Sequence, residues 1–69
     1  MEIKHEKVKK LLESRGWSQV IFAQRLDMDY SYIYRVMNKQ RGIGKKFITN
    51  FMILCEEEGL NFKDYVNLN

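Results

Sequence analysis

A chain of 69 residues, 45% hydrophobic and 30% charged, is expected to form a single domain that buries only about 60% of the surface its unfolded form exposes. It has no proline, four glycines and one cysteine, which excludes an internal disulfide and any zinc site of paired cysteines and makes a reducing, cytoplasmic setting the expectation. The net charge of +3 is small, but it is unevenly spread: six cations face five acids in residues 1–29, five face none in 30–55, and one faces four in 56–69.

A solvated surface normally mixes both signs, so an acid-free cationic stretch points to a polyanion partner. No run reaches the roughly 18 apolar residues of a membrane span, and charges fill the first ten positions, where a signal peptide would be apolar. A soluble chain is expected. Alternating patterns and turn dipeptides are absent, which favours an all-α fold.

Residues 3–15, IKHEKVKKLLESR, predict a first helix with Ile3, Val8, Leu11 and Leu12 inward and Gly16 as its C-cap. Lys9, Lys10 and Arg15 crowd its last two turns, where cations offset the negative helix end. That reading is preferred to DNA contact for these three. His5 has no acid or thiol at ligand spacing and reads as solvent-exposed.

Residues 18–38, SQVIFAQRLDMDYSYIYRVMN, read as two short helices joined by a tight turn. Ser18 can cap the first by accepting from the Ile21 amide, and Trp17 can staple onto Phe22. This helix runs from about Gln19 to Leu26, with Phe22, Ala23 and Leu26 on one face and Ala23 small enough for a second helix to cross closely. Asp27 ends it as a left-handed residue, Met28 turns inward, and Asp29 caps the second helix, which continues to about Asn38. On that helix Ile33, Val36 and Met37 form the buried stripe, opposite Ser31, Arg35 and Asn38. Tyr30 at its tip and Tyr32 and Tyr34 on its flanks complete a hydrogen-bonding surface without an acid, which suits a major groove.

At these residues the sequence resembles the Cro/CI-type helix-turn-helix family of phage repressors and bacterial regulators, also called the xenobiotic-response-element family. Ser18-Gln19, Ala23, Leu26, Met28, Asp29, Ile33, Arg35 and Asn38 sit where that family has S/T-Q, A, L, V/I, S/D, I, R and N. Two positions depart from it: the family's turn glycine is Asp27, and the glycine after the final Asn is Lys39. The resemblance covers roughly residues 8–66 and implies a five-helix, lambda-repressor-like domain.

Residues 39–46, KQRGIGKK, form a cationic loop. Its G-x-G lacks a GK[ST] ending and a preceding strand, so nucleotide binding is not expected. Gly44 is placed at the start of the next helix, whose free amides could meet a DNA phosphate. The segment RGIGKKFI also looks like its counterpart in small stand-alone family members from Gram-positive phages and mobile elements. Residues 45–58 predict a fourth helix with Phe47, Ile48, Phe51, Met52 and Cys55 on one stripe, closed by Gly59. Cys55 reads as a buried, inert thiol. Asn61 is expected to cap a short fifth helix, FKDYV, with Asp64 at the reciprocal position.

With one histidine, one cysteine and no nucleophile motif, no catalytic constellation, metal site or cofactor is expected, and the chain is not read as an enzyme. The leading expectation is sequence-specific binding of double-stranded DNA by a transcriptional regulator. Tyr30, Ser31, Tyr34 and Arg35 would meet base edges, and Gln19, Tyr32, Asn38, Lys39, Arg41 and Lys45 would meet phosphates. The resemblance implies the roles of Gln19 and Asn38; helix geometry and charge supply the others. The length leaves no room for a ligand-sensing domain, so control would come from promoter occlusion or a separate partner. Ile53, Leu60, Tyr65, Val66 and Leu68 exceed the needs of one small core and suggest a homodimer on an inverted-repeat operator. The alternative is a helix-turn-helix fold used as a protein interaction module, motivated by Val20 and Ile21 on the outward face of the first motif helix.

Overall fold

The computed structural model describes residues 1–68. Four helices make up most of it: α1 (His5–Arg15), α2 (Gln19–Arg25), α3 (Tyr30–Met37) and α4 (Lys45–Glu58). A two-stranded antiparallel sheet joins the chain ends, β1 (Glu2–Ile3) against β2 (Val66–Asn67), with Ile3 opposite Val66. The all-α expectation therefore holds for the body of the molecule, while its two margins differ.

At the first margin Ile3 is buried as expected, but from a strand rather than from the first turn of α1. At the second, the fifth helix is not formed. Phe62–Asp64 make a single 3-10 turn, and the chain then extends into β2. Asn61 does cap this turn, accepting from the Lys63 amide. Five residues are too few for a helix to persist on its own. Packing decides instead: Phe62 and Tyr65 both set their rings edge-on to Phe51, at 5.8 and 6.0 Å, and the extended backbone beyond them carries Val66 to Ile3.

The core centres on three rings, Phe22, Phe47 and Phe51, whose centroids lie 5.5–6.5 Å apart. Aromatic pairs at such spacing and tilt contribute about 0.5–1.5 kcal/mol beyond area burial. Helix α4 supplies two of the rings and packs through Phe47, Phe51, Leu54 and Cys55. Met52, expected on this stripe, is half exposed at 50%, and Leu54 is buried at 1% in its place. The stripe is centred between Phe47, Phe51 and Leu54, which puts Met52 beyond its edge on the 100° wheel.

Contacts remote in sequence fix how the helices meet. The Asn50 side chain donates to the Leu26 carbonyl at 2.8 Å, satisfying an end of α2 from α4. Glu58, at the acidic end of α4, binds the guanidinium groups of both Arg15 and Arg25. Those cations give the carboxylate its place at a negative helix end. His5 is half-buried, and its Nε2 lies 2.9 Å from the Val36 carbonyl. It is not the exposed side chain expected. A carbonyl only accepts, so Nε2 carries the proton and ties α1 to the last turn of α3.

Candidate nucleic-acid interface

Helix α3 is held by locally encoded devices. The Asp29 carboxylate accepts from the Ser31 amide at 3.2 Å, closing the N-terminus. At the preceding helix the Ser18 hydroxyl accepts from Ile21 at 3.1 Å, while Trp17 stacks on Phe22 with centroids 6.5 Å apart. Both caps and the staple are as the sequence predicts. Ile33 and Val36 are fully buried, and Met28 and Met37 pack on the core half-buried.

All four helices end with the same pair of backbone bonds. One amide reaches back three residues and the next reaches back five, as in Gly16 to Glu13 with Trp17 to Leu12. Asp27 and Met28 bond in this way to Gln24 and Ala23, Lys39 and Gln40 to Val36 and Arg35, and Gly59 and Leu60 to Glu56 and Cys55. The motif requires a left-handed residue. Gly16 and Gly59 supply it at φ 68° and 69° for α1 and α4, whereas Asp27 and Lys39 supply it at φ 54° and 60° on either side of α3. The two departures from the family pattern thus keep the backbone that glycine would adopt.

Burying Ile33 and Val36 turns Tyr30, Ser31, Tyr34 and Arg35 to solvent together. The rings of Tyr30 and Tyr34 lie 6.1 Å apart, forming one apolar ledge on the face that Arg35 shares. No acid lies within this face. Asn38 continues the helix line, its side-chain amide donating to the Tyr34 carbonyl at 2.8 Å. Gln19, Asn38 and Lys39 meet along one groove of about 300 Å³ between α1 and the end of α3, where His5, Lys9, Glu6 and Glu13 also line the walls. Lys39 and Arg41 continue into a neighbouring groove of about 480 Å³ beside Glu2, Ile3 and His5.

No family model matches this chain, and neither a curated protein nor a solved structure does. What the interface can do is therefore argued from its own residues. Exposed Arg35, Lys39, Arg41 and Lys45 lie along α3, the loop after it and the start of α4. Tyr32 stands apart from the other two motif tyrosines. It is half-buried, its ring lies 6.4 Å from Phe47, and its hydroxyl accepts from the Gly44 amide at 2.7 Å. His5 is the residue that sequence reasoning missed here: it lines both grooves. Its partner, Val36, lies 31 positions away, beyond any local pattern.

On α2, Val20 and Ile21 are 46% and 39% exposed, as the alternative reading expects. Cys55 is buried among apolar side chains, which raises its thiol pKa to about 11. No helix among the described residues is long and apolar enough to cross a membrane.

Proposed function

We propose that the protein is a sequence-specific double-stranded DNA-binding regulator of Cro/CI type, with a lambda-repressor-like arrangement of its helices, acting in the cytoplasm as a repressor that occludes a promoter. The observation that carries this reading is the acid-free outward face of α3. Tyr30, Ser31, Tyr34 and Arg35 share it, and the helix is set by a two-helix turn and flanked by a loop of cations. Arg35 has the donor fork that matches guanine O6 and N7, and the tyrosine rings suit thymine methyls. Lys39, Arg41, Lys45, Gln19 and Asn38 would fix register on phosphates without reading sequence.

Selection from random duplexes tests this directly. A consensus site should emerge, and its affinity should fall steeply with salt as cations release bound counterions. Recovery of unenriched sequence would sink the specific reading. The exposed Val20 and Ile21 support a second reading, docking of a partner protein. Such an apolar contact would respond little to ionic strength, so the same salt series separates the two.

A further inference from the structure

The loop that follows α3 and the first turn of α4 carry Lys39, Arg41, Lys45 and Lys46 within eight positions, and the loop has only two short-range turn bonds at its start. Four like charges so close repel one another, and a loop with two glycines has much freedom to lose on meeting a ligand. Ile43 packs on the core, and a second tie runs through Tyr32. The Arg41 guanidinium lies 4.1 Å above the centre of the Tyr32 ring, and Arg41 Nε donates to the Gly42 carbonyl at 3.3 Å. The same tyrosine accepts the Gly44 amide through its hydroxyl at 2.7 Å, and its ring lies 6.4 Å from that of buried Phe47. One side chain of α3 thus holds a charge in the loop, the backbone at the end of that loop, and the first turn of α4.

We propose that Tyr32 is a positioning residue. Its ring carries Arg41 and its hydroxyl secures Gly44, so that the loop meets duplex phosphates already ordered. This rests on the DNA-binding reading above and changes the part Tyr32 plays in it, from a phosphate contact to the support of one. Geometry explains why an aromatic is needed. The quadrupole of the ring attracts a planar cation to its face, leaving the outer Nη groups of Arg41 free for an anion. A preset guanidinium then gives up less rotamer freedom on binding. Tyr30 and Tyr34 have no such duty: the residues are 44% and 45% exposed, and their rings lie against each other.

A double-mutant cycle on Tyr32→Leu and Arg41→Ala tests this, read as affinity for random duplex at fixed salt. Nuclear relaxation of Arg41 Nε in the DNA-free proteins provides a second readout. Tyr32→Leu should weaken binding about two- to fivefold while Arg41 is present, the size of an exposed cation–π contact. In the Arg41→Ala background its effect should shrink to what loss of the Gly44 tie alone costs, so the two losses should not add. The slope of log affinity against log salt should stay unchanged in Tyr32→Leu, because no charge is lost, and fall by about one in Arg41→Ala. Arg41 Nε should be ordered in the wild type and mobile in Tyr32→Leu. Additive losses around the cycle, or an Arg41 Nε as mobile in the wild type as in the variant, would overturn the positioning role while leaving DNA binding in place. A wild-type protein that held no duplex would overturn both. Arg41→Lys adds an arm that does not depend on Tyr32→Leu folding. It keeps the charge without the planar stack, so at least twofold weaker binding is expected and wild-type affinity counts against the proposal.

Discussion

Asp27 and Lys39 show what a single residue can reveal about use. Each holds a left-handed backbone that glycine adopts freely, at φ 54° and 60°, with a steric cost of roughly 1 kcal/mol for a side chain there. No hydrogen bond or ion pair among the described residues holds the Asp27 carboxylate. Asp27→Gly should therefore raise the melting temperature by a few degrees, after allowing for the extra freedom glycine gives the unfolded chain. Lys39→Gly should also stabilise but should weaken DNA binding, because only there does the replaced side chain stand on the cationic rim. Melting curves and duplex titrations of the two variants check this pair; a destabilised Lys39→Gly would mean that its side chain supports the fold. Cys55 gives a residue-scale prediction in pH. Its thiol is raised from 9.0 to about 11 by burial, so the folded state keeps a proton that the unfolded state releases above pH 9. Stability should be unaffected below that value and fall between about pH 9 and 11, by up to about 1.4 kcal/mol per unit. Denaturation of wild type and Cys55→Ala across this range isolates the effect as the difference between them. Asp27 and Ser18 were legible in the sequence because a cap or a turn is settled within four residues. His5 and Glu58 were not, since their partners lie 31 or more positions away.

At the scale of the element, the DNA-binding proposal has helix α3 separate reading from holding. Arg35 stands mid-face among Tyr30, Ser31 and Tyr34, whereas Lys39 and Arg41 lie past its end, where the wall of a groove would be. Arg35→Ala should cost about 1–3 kcal/mol on the cognate site and much less on random duplex. Lys39→Ala and Arg41→Ala should weaken both duplexes alike, each flattening the salt plot by about one unit. Titration of the three variants against both DNAs decides the matter; equal losses for Arg35→Ala would move it to the phosphates. The support of α3 is also testable at this scale. Asn50→Ala removes the donor to Leu26 at the turn and should destabilise by about 1 kcal/mol. Helix positions were legible where caps and apolar spacing agree, in α2 and α3, while the start of α1, which no side chain caps, was read two residues early. The inner face of α4 was misread at Met52 in place of Leu54, because these two lie on opposite sides of the Phe47–Phe51 line and only the packing partners choose between them. The last segment was misread as a helix because Phe62, Tyr65 and Val66 answer to Phe51 and Ile3, not to their own neighbours.

For the whole molecule, the count of spare apolar side chains changes once the core is known. Of the five residues that suggested a dimer, Val66 is buried, and Leu60 and Tyr65 pack on the core. Ile53 and Leu68 remain, at 52% and 45% exposed, and Met52 and Met1 join them at 50% and 54%. Met52 and Ile53 are adjacent on the outer side of α4, and Met1 and Leu68 flank the paired strands. These are two small patches, and a free monomer in solution is consistent with them. On DNA, under the proposed function, the balance would differ, because a single small module buries too little surface for high specificity and a second half-site adds its contacts without new chemistry. The Cα frame measures 28 × 27 × 20 Å. Two such bodies with recognition helices one turn of duplex apart, about 34 Å, come within reach of each other once side chains are added. The expectation is two protomers on an inverted repeat, monomeric in sedimentation without DNA and two to one with it. Ile53→Lys tests the α4 patch and Leu68→Lys the strand patch: the one at the contact should reduce the cooperativity of the second protomer while leaving affinity for an isolated half-site unchanged. Footprinting with protection of a single unrepeated half-site by one protomer would rule out the paired arrangement, and the apolar side chains of α4 would then be free for a different partner.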